Sequence, residues 1–304
     1  MVADAWPLAV LAILLAWPIP SALARAAWPK RHPRAAIALW QAVGIAGGLS
    51  LIGAPLAFAV GDLRTGLVSL VRDAVHLRVP QSLGFAQEVA LAFAGVLAIR
   101  LIGVTLLSAF RIERDLRRQR DAVDLAAEHA DRQLRVLEHA APAAYCLPGT
   151  RPRIVITEGT ISALAPDELE AVLAHERAHA RWRHELVVQP FVAWESALPL
   201  PPARRATAAV TTLVEMLADD HAVRAAGRPA LARALVAIGG TAGPLPKQRP
   251  ASLPTTTTAA TPTLDRVHRL VRATRPTGRE RLIAPAAWLA ALLLVAGPTW
   301  FVLR

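Results

Sequence analysis

Four apolar stretches constrain this sequence more than anything else in it: Ala5 to Ala24, Ala35 to Gly61, Val89 to Phe110 and Leu282 to Leu303. Each is long enough to cross a hydrocarbon core as a helix, which takes about 20 residues. Three of them hold no charge, and Val89 to Phe110 is interrupted only by Arg100. A chain built this way folds partly in lipid, where a helix satisfies its own backbone polar groups. Composition agrees, with 54% hydrophobic and 19% charged residues against about 25% charge in soluble domains. The charges gather in one place: residues 111–281 hold 25 basic and 19 acidic side chains, while residues 1–110 hold 8 and 4. The reading is therefore three membrane helices in 1–110 (about 5–24, 35–61 and 89–110), a soluble-type domain in 111–281, and a fourth membrane helix in 282–304.

Loop charges set an expected orientation, because Arg and Lys flanking membrane helices stay in the cytoplasm. The first loop carries Arg25, Lys30, Arg31 and Arg34 with no acid, the second balances Arg64, Arg72 and Arg78 against Asp62, Asp73 and Glu88, and the third span exits into Arg111, Arg114, Arg117, Arg118 and Arg120. This places the N-terminus outside and the 111–281 domain in the cytoplasm of a multi-pass plasma-membrane protein. The first span follows Met-Val-Ala-Asp-Ala, with no basic residue, so it reads as a retained helix rather than a cleaved signal. Arg100 reads as a contact to a neighbouring helix or as a signal-coupling residue, since an unpaired charge there costs at least ~2.5 kcal/mol. A single cysteine, Cys146, excludes an internal disulfide or a thiolate zinc cluster and reads as a packed small hydrophobe. The net charge of +11 sits largely beside membrane segments, so lipid is an expected partner and direct nucleic-acid binding is not.

Within 111–281, Arg111 to His139 lacks Pro and Gly and repeats apolar residues near a 3.6 period, which predicts an amphipathic helix ended by Pro142. Arg153-Ile-Val-Ile-Thr157, bounded by Pro152 and Gly159, predicts a strand. Ala165-Pro-Asp-Glu-Leu169 opens a helix through His179 to Trp182. Pro199 to Pro202 separates it from a helix over Arg204 to Ala226, and a short one follows near Ala230 to Ile238. Gly239 to Thr263 is a Pro- and Thr-rich linker expected to be mobile and open to cleavage by the protein itself. Leu264 to Arg272 reads as a basic amphipathic helix at the membrane face.

His175-Glu-Arg-Ala-His179 is H-E-x-x-H inside a predicted helix. The i, i+4 spacing puts both imidazoles on one face, so each can offer a nitrogen to one zinc ion at about 2.0–2.1 Å. Glu176, one step round, lies beside the ion, where a base accepts a proton from an activated water and later returns it to a leaving amine. A catalytic zinc usually takes three protein ligands. Downstream, Glu215-Met-Leu-Ala-Asp219 supplies Glu215 as third ligand, with Asp219 one turn on as acceptor for a ligating histidine's ring N–H.

Four spans, a domain between the third and fourth, Ala171-Val-Leu-Ala-His-Glu-Arg-Ala-His179 and Glu215-Met-Leu-Ala-Asp-Asp220 together resemble the BlaR/MecR-type integral-membrane metallopeptidases of the gluzincin group. The resemblance implies a mainly α protein: a four-helix transmembrane bundle with an inserted cytoplasmic α+β zinc peptidase domain. It implies one zinc per chain on His175, His179 and Glu215, Glu176 as catalytic base, and a cytoplasmic protein substrate, a winged-helix DNA-binding repressor. By the same resemblance Ile154, Val155, Ile156 and Thr157 would hold substrate as an added strand along their edge. Two features depart from the pattern. The β-lactam sensors carry an extracellular penicillin-binding domain after the fourth span, whereas this sequence ends at Arg304, so no β-lactam ligand is expected. Where relatives tend to show Asp nine positions after the first ligand this sequence has His184, and His221 follows the acidic pair. The competing functions are a housekeeping HtpX-like protease that trims damaged membrane proteins and a non-hydrolytic receptor or scaffold that keeps the metal for stability.

Overall fold

The computed structural model describes residues 5–60, 83–129, 131–240, 260–271 and 280–303. The linker expected over Gly239 to Thr263 and the charges of the second loop lie largely outside them. The described chain is mainly helical and divides into two compact units that are discontinuous in sequence: residues 1–106, 190–210 and 277–304 form one, residues 107–189 and 211–276 the other.

The first unit holds the apolar helices, the long one that begins at Phe85 only as far as Leu106. The stretch foreseen as one helix over Ala5 to Ala24 is two, α1 (Ala5–Ala16) and α2 (Pro18–Arg25), because Pro18 lacks an N–H and its ring collides with the preceding turn. Next come α3 (Pro33–Val60), α4 (Phe85–Ala126) and, near the end of the chain, α11 (Glu280–Leu303). Ala5–Arg25, Pro33–Ala59 and Phe85–Ala126 are long and apolar enough to cross a membrane, and α11 adds a shorter apolar stretch, Leu282–Gly297. Leu15 packs against Val43 and Ala46 of α3, with Leu294 of α11 beside them. Outward, Phe93, Val96, Ile99, Ile102 and Leu106 of α4 are exposed, a surface suited to lipid rather than water.

Residues 190–210 belong to this unit although they follow H-E-x-x-H, which no division at residues 110 and 281 anticipates. They are the end of α7 (His184–Ala197) and the start of α8 (Pro201–Ala226). Phe191 meets Trp40 edge to face with centroids 6.4 Å apart, and Trp194 lies against Gly48, where a Cβ would stand 3.0 Å from its ring. Arg100 has a structural partner here: its Nε donates to the carbonyl of Ala197 at 2.9 Å, at the negative end of α7.

In the second unit the helix foreseen through His139 stops at Ala126. The chain turns into a four-stranded sheet of β1 (Glu128–His129), β2 (Leu134–Leu137), β3 (Ala144–Leu147) and β4 (Arg153–Thr157) in the order β1-β2-β4-β3. Pairing outweighs helical periodicity, because β2 lies parallel to β4 with Leu134 opposite Ile154 and Leu137 opposite Thr157. This order corrects the docking expectation for Ile154, Val155, Ile156 and Thr157. Strand β4 is central, bonded on its other side to β3 with Ile156 opposite Ala144, so its ladder is filled on both edges. Thr157 is also buried and its hydroxyl accepts from the N–H groups of Ala143 and Thr160. Among the described strands, the edge beside β4 is β3.

Side-chain alternation assigns the two faces of the sheet. Tyr145, Leu147, Val155 and Leu137 pack against Leu116 and Val123 of α4 and against Ala127 just beyond it. Asp124 of α4 accepts from Arg153 and Arg135 at 2.9 Å each, and these guanidiniums hold its carboxyl down at about 2. On the opposite face Ala144 joins Leu164, Val172 and Ala234. Gly159, in the short helix α5 (Glu158–Ala163), is required by close approach, since a Cβ there would overlap the Ala140 carbonyl.

Cys146 is buried in β3. Burial, with the negative charges of Glu176 and Glu185, pushes its thiol far above the ordinary range, and the thiolate is the reactive form. The folded protein is therefore expected to leave Cys146 unmodified by iodoacetamide at pH 8 and to expose it only on denaturation. Mass spectrometry of the native and denatured samples checks this, and rapid native alkylation would contradict the burial.

Candidate metal centre

Helix α6 (Pro166–Trp182) carries the first half of the site. Pro166 starts it, Asp167 and Glu168 favour its positive end, and Glu168 reaches back to accept from the N–H of Ala165 at 3.1 Å. Small residues decide which helices it can approach. Ala171 and Ala174 pack against Ala222 of α8, Ala230 and Leu231 of α9 (Arg228–Gly240), and Leu270 of α10 (Ala260–Val271). With alanine at the crossing, backbones come close enough for short side chains on α8 to reach His175.

The result is a compact donor set. His175 Nε2 lies 3.2 Å from His179 Nε2 and 3.3 Å from Glu215 Oε2, and His179 Nε2 lies 3.6 Å from Glu215 Oε1. Ligands at about 2.0–2.1 Å around a tetrahedral zinc stand roughly 3.3–3.4 Å apart; one donor atom from each of the three residues lies within 4.8 Å of the others, so the set can converge on one ion. His175 is buried while His179 and Glu215 are half-buried, leaving one side of the set approachable. Asp219 Oδ1 sits 3.1 Å from His175 Nδ1. Glu176 is half-buried on the same helix, and its charge is felt at the guanidinium of Arg266.

Arg266 was not foreseen as a site residue. Its Nη1 lies 3.1 Å from Glu215 Oε2, while its Nε and Nη2 donate to the two oxygens of Asp219 at 2.8 and 2.6 Å. One turn on, Arg269 Nη1 pairs with Asp220 Oδ1 at 2.7 Å. Helix α10, read from sequence as a basic helix for the membrane face, thus spends two arginines on the acidic run of α8. Asp219 is 1% exposed, and a buried carboxylate favours a fixed cation beside it, but nothing in the residue pattern says which arginine supplies it.

These charges set the protonation of the site. Burial opposes charge on His175, yet the carboxylates of Asp219 and Glu215 outweigh it and raise this histidine. Burial lowers His179, with the charges of His175 and Arg266 adding to the effect. Against its own burial, Glu215 is driven well down by His179, His175 and Arg266. To hold a metal, His175 would give up the proton on its Nε2, and the ion's charge would supply what that proton supplied.

Helix α6 ends at Arg183, a non-glycine residue with φ of 49°, which costs roughly 1–2 kcal/mol. Its N–H closes on the carbonyl of His179, and α7 begins at the next residue. That tight reversal brings His184 Nδ1 within 3.2 Å of His179 Nδ1. His221 lies elsewhere in the set's surroundings, with its Nδ1 3.1 Å from Arg224 Nη2.

Residues 108–198 match the model of Peptidase family M48. The match takes in the end of α4, the sheet, H-E-x-x-H and α7, and it stops before Glu215. The likeness, over less than a third of the chain, supports a metallopeptidase; the members of that family are zinc enzymes, and the long apolar helices of this chain point to membrane association. No curated protein and no solved structure was found to match the chain.

Proposed function

We propose that this protein is a membrane-embedded zinc endopeptidase that hydrolyses a cytoplasmic protein, a winged-helix transcriptional repressor, in response to a signal at the envelope. The observation that carries the reading is the donor triangle of His175, His179 and Glu215 with Glu176 on the same helix turn as the two histidines. A zinc ion held there supplies a Lewis acid that acidifies a water and polarises a scissile carbonyl. Glu176 takes the proton from that water and delivers it to the departing amine. Asp219 faces the ring Nδ1 of His175 at 3.1 Å, and Arg266 ties Asp219 and Glu215 together. The basic loop of Arg25, Lys30, Arg31 and Arg34 supports an inward-facing peptidase domain with the N-terminus outside.

Comparing the proteome of a deletion strain with that of a strain expressing Glu176→Gln tests the substrate assignment. Accumulation of one DNA-binding protein in both, cleaved when wild-type protein is restored, is the expected result. A broad rise of misfolded membrane proteins would replace it with a housekeeping role. No accumulating or cleaved protein would leave the metal centre as a structural element only.

A further inference from the structure

We infer that His184 is the residue that orients the ligating ring of His179, so that one imidazole of this metal centre is braced by a third histidine while the other faces a carboxylate. The inference rests on the reading that His175, His179 and Glu215 share one zinc ion. His179 turns its Nε2 toward His175 and Glu215, which leaves Nδ1 on the opposite side of the ring. There it meets His184 Nδ1 at 3.2 Å, the two rings standing 4.8 Å apart and nearly perpendicular, at 86°. Edge-on geometry of this kind lets one ring's N–H point along the other's lone pair, whereas stacked rings would not.

The tautomers follow from the metal. A ligating Nε2 must present its lone pair to the ion, so the proton of His179 resides on Nδ1, which donates to His184 Nδ1; the proton of His184 then resides on its own Nε2. His184 is held for this role, being 5% exposed and placed by the left-handed turn at Arg183 whose N–H closes on the carbonyl of His179. The two ligating imidazoles are thereby braced unequally: His175 faces the anionic Asp219 at 3.1 Å, His179 a neutral acceptor. His184 is a positioning residue, since its effect passes through His179.

The test uses the full-length protein in detergent, with zinc affinity measured by chelator competition and the ligand field read from the visible spectrum of the Co²⁺-loaded form. His184→Leu fills the space without offering an acceptor, His184→Ala removes both, and His184→Asp offers an acceptor of a different shape. Loss of an outer hydrogen-bond partner weakens metal binding about 10–100-fold, so the Leu and Ala variants are expected to fall by that factor with shifted Co²⁺ bands. His184→Asp is expected to recover most of the affinity and the wild-type band positions. Melting of the metal-free Leu variant close to wild type would show that its fold survives. Wild-type affinity in His184→Leu, or an Asp variant no better than Leu, overturns the inference while leaving the metal centre standing. His179→Ala separates the two levels: if it binds zinc as wild type does, or if wild type binds none, the metal centre itself is misassigned and the inference falls with it.

Discussion

Glu176→Gln is expected to lose proteolysis while keeping its zinc and its fold. Glutamine preserves the size of the side chain and its place on α6, one residue from His175, but it cannot accept a proton from the attacking water. General-base catalysis contributes about 10²–10⁴-fold, so turnover of a cleaved substrate should drop by at least that factor. Zinc content should stay near one per chain, because His175, His179 and Glu215 are untouched. Single-turnover cleavage combined with metal analysis on the same sample checks both halves. A Gln variant that cuts at the wild-type rate would remove Glu176 from the mechanism; one that loses its metal would instead make Glu176 part of the ligand shell.

Arg266→Met carries the other large expected effect, and it concerns stability before chemistry. Arg266 has a side chain 12% exposed that spans Glu215 and the nearly inaccessible Asp219. Methionine keeps much of the apolar stem and removes the charge, leaving carboxylates whose other ion-pair partners among the described residues are the histidines. Breaking a buried ion pair from one side costs about 3–5 kcal/mol, so the metal-free protein should melt far below wild type. Saturating zinc should recover part of the loss, since the ion supplies positive charge to Glu215, and binding to the native state alone stabilises it. Thermal melts with and without zinc measure this, and a methionine variant as stable as wild type in both would show that Arg266 is dispensable to the centre. Arg266→Lys is expected to fall between, because an ammonium cannot reach two carboxylates with the fork of a guanidinium.

Some of this was legible in the residues themselves. Long runs without charge mark apolar helices because lipid tolerates little else, and H-E-x-x-H on a helix places two imidazoles a turn apart by helical geometry alone. Glu215 and Asp219 could be paired as one face of a second helix for the same reason. Less was legible where local and distant preferences compete. Leu134 and Leu137 fit a helical period as well as a strand, and β2 exists because β4 offers it a parallel partner. The expectation that β4 would take a substrate failed through a related gap: a strand's own residues do not reveal which neighbours already fill its edges.

Periodicity is a property of the chain, and so the apolar helices, the metal-binding motif and the candidate base were determined by the sequence without reference to anything else. What meets across the fold was decided only in three dimensions: the alanine crossing that lets α8 deliver Glu215 to the histidines, Arg266 arriving from α10 to neutralise two carboxylates, and the left-handed turn at Arg183 that sets His184 against His179. Close contact between residues far apart in the chain depends on the shapes and charges of both partners at once, and no single segment encodes that.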